Sequence, residues 1–416
     1  MYRALLQRLL LILGFLLPGT WVLQAQFTNQ GEFTILADTE VGIFDAIENT
    51  ISGTIINDGA LFSYSHFNNN GIMDFTTGGE LHFEGSALQM ISGTGENFLY
   101  DLHFNNTSAV SPFELSGNIS VGHIANFNEG ILNNIDFGGS ITFEEDADHT
   151  NTSDLSHVNG KVIKYGENSF IFPIGDNGQY RPANITAPQE ILDSYTGQYV
   201  LENSNSSYPH DLKTDLILQI NNTEYWTIER NSGSSDVVLS LSWDKDTSPD
   251  FITNADPASL HIVRWDAERG FWVDEGGILN AADQTITTIA SVSGYGVFTL
   301  ATVEVDEVLP GGLVPYNAVS PNSNGENDVF RIDGLERFPN NTVEIFNSWG
   351  VSVFKTSGYN NADNAFRGFS KGNFTMNNSE PLPTGTYFYV LNYEYSENGS
   401  AARTVRKAGF LYIDAN

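Results

Sequence analysis

The chain has 416 residues, with 18 Lys and Arg against 51 Asp and Glu, a formal net charge of −33 and no Cys. That balance argues against nucleic acid or an anionic membrane as partner, because neither has cations to meet the acids. The missing Cys removes disulfides, thiolate metal sites, Cys nucleophiles and a lipidated N-terminal Cys together.

Residues 1–25 read as a secretory signal peptide. Arg3 and Arg8 supply positive charge, 9–17 is apolar apart from Gly14, Pro18 and Gly19 break the helix, and Ala25 offers a small cleavage residue. The run is shorter than the roughly 20 residues of a spanning helix. No later stretch is long and apolar enough, so no transmembrane segment is expected in the mature chain. No Lys or Arg occurs between Arg8 and Lys161, and residues 26–314 carry 8 basic residues against 41 acids. Two readings fit: solubility of an exposed surface protein, or binding of divalent cations or cationic partners. Length predicts three domains.

Residues 26–155 hold short strand-like runs such as GELHF (79–83), FLYDLHF (98–104) and GSITF (139–143), separated by NDG, NNNG, NEG and GG turns. Ile51-Ser52-Gly53-Thr54 recurs 40 residues on at Ile91-Ser92-Gly93-Thr94, and Leu81-His82-Phe83 recurs 21 on at Leu102-His103-Phe104. Both fit coils of about 20 residues, the range of a β-solenoid. Asn and Gly at the corners would allow a left-handed backbone at sharp bends. A β-sandwich with incidental similarity is the alternative.

Basic residues return in 156–303, with Trp226, Trp243, Trp265 and Trp272 and alternating runs such as DVVLSLSW (236–243) and SLHIVRW (259–265). This region reads as a β-sandwich, and 304–314 (VEVDEVLPGGL) as a linker.

Chemistry in this body is sparse. Glu144, Glu145, Asp146 and Asp148 beside His149 offer carboxylates, but glycosidic cleavage needs two with opposed pKa values, and a solvated turn is the simpler reading. His66, His82, His103 and His123 are spaced by 16, 21 and 20. In a solenoid they could form a ladder that binds Zn²⁺, or stacked surface histidines. Glu224 and the pair Asp244 and Asp246 lie near Trp residues, which suit a sugar platform or a sandwich core. The body is therefore read as non-catalytic and adhesin-like or scaffolding. The alternative is a carbohydrate-binding or carbohydrate-active protein with its site in 156–303.

Residues 315–416 show strand chemistry throughout, with aromatic and β-branched alternation in NTVEIFNSWG, VSVFKT, TGTYFYVLNYEY and RTVRKAGFLYI. Four pieces occur in order. A turn runs Pro321, Asn322, Ser323, Asn324, Gly325, Glu326, Asn327, Asp328, Val329, Phe330. Ile345, Phe346, Asn347, Ser348, Trp349, Gly350 follow. Tyr359, Phe366 and Gly368 come next, and Leu382, Pro383, Thr384, Gly385, Thr386, Tyr387, Phe388, Tyr389 close the set. This pattern resembles the gliding-motility-associated C-terminal domain, the type B sorting domain of type IX secretion. It departs from the family at Ser323 and Asn324 (Gly-Asp), Ser348 (Arg) and Phe366 (Trp).

The resemblance covers about a quarter of the chain. It implies an Ig-like β-sandwich that the outer-membrane secretion machinery recognises, on a protein sent to the surface of a Gram-negative bacterium via the periplasm. With it, the fold class is all-β: a solenoid-like region, a central sandwich and a sorting domain. Asn322, Asn324, Asn327 and Asp328 offer oxygens for a weak calcium site; a turn satisfied by its own backbone is the alternative. No other cofactor is expected. Arg403, Arg406 and Lys407 form the one basic cluster of the mature chain, suited to a translocon surface, an anionic surface polysaccharide, or plain strand-surface charge.

Overall fold

A computed structural model describes residues 26–214, 216–304, 309–316, 318–321, 328–347, 350–370, 381–396 and 402–413. It is 51% strand and 4% helix, and it begins as a β-solenoid of about seven turns. Strands from successive coils pair in parallel: Val41 lies beside Leu61, Leu61 beside Leu81, Leu81 beside Leu102, and Leu102 beside Ala125. A second face stacks Ile47, Phe67, Ile91 and Leu115 in the same way. All these residues are buried except Val41, which is partly buried against the same core. Alternation puts every second side chain inward, and stacking joins those columns into one core. Each fully buried Leu, Ile or Phe is worth roughly 1.5–3 kcal/mol.

The corners meet the expectation at glycine, where Gly93, Gly130 and Gly138 have φ 108°, 96° and 81°, but the stacked asparagines work differently. Asn29, Asn49, Asn69 and Asn97 are buried and form an amide ladder: Asn29 Nδ2 donates to Asn49 Oδ1 (2.9 Å), Asn49 Nδ2 to Asn69 Oδ1 (2.6 Å), and Asn69 Nδ2 to Asn97 Oδ1 (2.9 Å). None of the four has a left-handed backbone. They serve the corner by satisfying buried polar groups. The glycine beside them answers to space: a Cβ on Gly95 would lie 2.1 Å from the Gly71 carbonyl oxygen.

The Leu-His-Phe repeat is in register, residue for residue. The Ile-Ser-Gly-Thr repeat is not. Ile51 is 89% exposed in a turn, whereas Ile91 is buried in the strand Gln89–Ser92 and aligns with Phe67 and, through it, Ile47.

The parallel ladder continues past residue 155, through Val158 and Ile174 on one face and Val162 on another. The change of composition at 156 thus falls inside the stack. Lys164, one of the returning basic residues, serves the stack: buried there, its Nζ donates to the carbonyls of Glu144 (2.6 Å), Glu145 (2.7 Å) and Ala147 (3.0 Å). The strand Val162–Tyr165 then pairs antiparallel with Ser194–Val200, so the solenoid sheet runs directly into the central domain. That domain is antiparallel. One sheet contains Ser194–Val200, Tyr225–Ser232, Gly296–Val303, Leu260–Asp266 and Phe271–Gly276. The other contains Phe170–Phe172, Ala183–Ile185, Leu239–Ser242, Thr285–Thr287 and Ile278–Asn280. A single apolar cluster extends from Ile35 through Phe143 and Phe172 to Trp226 and Leu300, spanning both regions.

The terminal domain has its own core. A five-stranded sheet orders Ala318–Val319, Arg403–Ile413, Gly385–Tyr395, Asn341–Phe346 and Ser352–Ser357, and a small sheet pairs Val314–Pro315 with Ile332–Asp333. Leu309 and Leu313, from the segment read as a linker, are buried in this core with Phe330, Ile345 and Leu411.

Candidate functional site

The ordered motif of the terminal domain converges in space. Tyr359 is buried, and its hydroxyl donates to the Phe330 carbonyl and accepts from the Phe366 amide at 3.0 Å. The Phe330 amide in turn donates to the Phe366 carbonyl at 2.9 Å. Burial pushes the Tyr359 hydroxyl well above its ordinary range. Tyr389 packs on Phe330, with ring centroids 4.7 Å apart. Gly368 has φ 78°, and a Cβ there would sit 2.9 Å from the Pro321 ring, so the segment closes onto the first turn only with glycine. Motif residues far apart in the chain thus form one interlocked core.

Other motif positions shape the surface. Asn347 closes a hairpin turn, accepting at Oδ1 from Val351 N (2.9 Å), with Gly350 at φ 72°. Tyr387 donates to the Pro383 carbonyl at 3.1 Å and shares the core-facing side of its strand with Tyr389. A Cβ at Gly385 would meet nothing within 4 Å, so no close approach demands glycine there. The signal peptide at 1–25, and Asn322, Asn324, Gly325, Asn327 and Trp349, lie outside the described residues; Asp328 alone of the candidate calcium ligands lies within them.

The basic cluster divides. Arg403 is exposed, but Arg406 and Lys407 face the central domain. Arg406 Nη1 lies 3.2 Å from Oε2 of Glu275, whose side chain has no solvent exposure, and Arg264 Nε lies 2.9 Å from the other oxygen. Ser293 N donates to Glu275 Oε2 at 2.9 Å. Beside this network Ile289, Ala290, Phe346, Val390 and Ala408 pack as an apolar seam. Lys407 lines a cleft of about 450 Å³ between the domains, with His261 and Phe388. His261 sits 2.8 Å from Asp274. Burial pushes the Asp274 carboxyl up, but His261 and the Gly276 amide outweigh it and hold it below the usual range.

Upstream, the four spaced histidines do not form one ladder. His82 and His103 stack, with centroids 4.1 Å apart and rings 3° from parallel. His66 Nδ1 instead accepts from Met90 N (3.0 Å), and His123 stacks on Tyr100 and pairs with Asp101 at 2.7 Å. Burial holds the His103 imidazole below its ordinary value, and His82 beside it adds to that. Glu80 Oε2 lies 2.7 Å from His82 Nε2 and 3.9 Å from His103 Nε2. Glu80 is the member that sequence reasoning passed over; its signal was the period-two spacing to His82, which puts both on one face.

The remaining candidates are structural in their contacts. Glu144 and Glu145 lie in the turn that Lys164 holds, and His149 packs against Phe127, Phe143 and Phe170. Glu224 is fully buried and receives Tyr199 (2.7 Å) and Asn221 (3.1 Å). Trp226 and Trp272 are fully buried.

Residues 313–413 match the family model CHU_C, the Type IX secretion signal domain. The carboxy-terminal domain is therefore a type IX secretion signal, in agreement with its motifs. No curated protein and no solved structure matches the chain.

Proposed function

We propose that this protein is type IX cargo displayed at the surface of a Gram-negative bacterium, where residues 26–303 act without catalysis as an adhesin-like or scaffolding module. The match over 313–413 carries the export reading. The single core and shared sheet joining solenoid to sandwich support a stiff presenting body. Engagement of Glu144, Glu145 and Glu224 in internal contacts supports a non-catalytic role.

Deletion of 313–413 tests the address. Loss of the chain from the cell surface and medium, with retention in the periplasm, is expected; normal surface delivery would sink the proposal.

A second reading, glycan binding, draws support from the solenoid rather than from 156–303. Phe44 is 75% exposed and stacks on Tyr64 with centroids 4.6 Å apart and rings 6° from parallel. Flat aromatic faces of this kind bind sugars by stacking. A glycan array on the mature chain, with F44A as the comparison, separates the two readings.

A further inference from the structure

We propose that Glu80, His82 and His103 form a binding site for a borderline transition-metal cation, with Zn²⁺ as its type, on the outward face of the solenoid. The site is independent of the export reading. His82 and His103 come from adjacent coils, and the parallel pairing of Glu80–Phe83 with Glu96–Asn105 sets them side by side. Glu80 precedes His82 by two residues and shares its face. One ligand atom from each of the three lies within 4.8 Å of the others.

The distances suit the ion. Ligand atoms on a tetrahedral centre with arms of about 2.0–2.1 Å are roughly 3.4 Å apart. The Glu80–His82 separation of 2.7 Å would open slightly and the Glu80–His103 separation of 3.9 Å would close. Both changes need only side-chain rotation on a rigid ladder. Two imidazoles and one carboxylate favour Zn²⁺, Cu²⁺ or Ni²⁺ over Ca²⁺ and Mg²⁺.

The surroundings are those of a ligand shell. Phe62 stacks on His82 at 4.3 Å, and the two imidazoles are largely covered (13% and 23% exposed) while Glu80 is 49% exposed. Glu84 Oε1 lies 3.7 Å from His82 Nδ1, and the Asn126 amide 3.3 Å from His103 Nδ1. Metal at His103 Nε2 needs the ring proton on Nδ1, so the Asn126 amide nitrogen, which faces Nδ1 while its Oδ1 accepts from Thr150 and Asn151, would have to swing away on binding. No Lys or Arg lies between Arg8 and Lys161 to compete with a cation. Three protein ligands leave a fourth position facing solvent.

The test is calorimetric titration of the mature chain with ZnCl₂, together with the visible spectrum of the Co²⁺-loaded protein. One saturable site is expected, with the intense visible bands of four-coordinate Co²⁺. H82N and H103N should each weaken Zn²⁺ binding at least ~10-fold, since loss even of an outer partner costs that much. E80Q, an exposed change that leaves the ladder packed, should weaken it too, and H66N should not. Absence of saturable binding by the wild-type chain would overturn the proposal. So would equal affinity in the wild type, E80Q, H82N and H103N.

Discussion

Arg406 of the terminal domain reaches Glu275 of the central domain at 3.2 Å, and Arg264 holds the same carboxylate from the other side. The signal domain is therefore tied to its cargo by a charge taken out of water. Glu275→Gln leaves two guanidinium groups around a neutral amide. It should cost about 3–5 kcal/mol, the penalty of breaking a buried pair from one side. Arg406→Ala leaves Glu275 with Arg264 and Ser293, so about 1 kcal/mol is expected. Thermal melts of the two variants should differ in that order; equal effects would show that Arg406 carries the network.

The asparagine ladder predicts a second cost. Asn69 donates to the Glu96 carbonyl and Asn97 and accepts from Asn49 and the Gly71 amide. Asn69→Ala strands buried partners on both sides. A loss of about 1–3 kcal/mol is expected, read as a lower urea midpoint.

Acid should loosen the last coils. His157 is buried and His149 half-buried, and burial holds both imidazoles below the ordinary 6.5. His149 Nδ1 and His157 Nε2 have no hydrogen-bond partner among the described residues. The unfolded chain binds these protons first, so their contribution is complete above about pH 6.5 and is lost as pH falls through the lower folded values. The melting temperature should hold from pH 8 to 7 and drop from pH 6.5 to 5. His157→Gln should flatten that drop. A further loss sits below about pH 4, where Asp193 and Asp274, both held low, take protons.

Tyr359 predicts a link between folding and export. Tyr359→Phe removes the hydroxyl that joins Phe330 and Phe366 inside the signal domain. A cost of about 1–2 kcal/mol is expected, with a smaller surface fraction on immunoblots of shaved cells. Unchanged stability would remove Tyr359 from the core that holds the motif together.

Much of the fold was legible because period-two alternation and repeated strands report local geometry. Leu81-His82-Phe83 and Leu102-His103-Phe104 predicted in-register neighbours, and they are neighbours. Ile51-Ser52-Gly53-Thr54 predicted another pair and misled, because coil lengths vary and a shared tetrapeptide carries no information about which coil face it occupies. The boundary near 155 was read from returning basic residues, yet Lys164 is the donor that the final turns of the stack require. The basic cluster at Arg403, Arg406 and Lys407 looked outward in the sequence because strand charge is usually solvated; Glu275, 131 residues away, decides otherwise for Arg406.

From the amino-acid order alone come the all-β character, the acidic body and the ordered motif of the secretion signal, since composition, alternation and spacing are local properties. The tertiary structure alone decided that asparagines form a buried ladder, that His66 and His123 stand apart from the pair His82 and His103, and that Arg406 meets Glu275. Each is a contact between residues distant in the chain, and such contacts depend on the register of one coil or domain against the next, which no local pattern encodes.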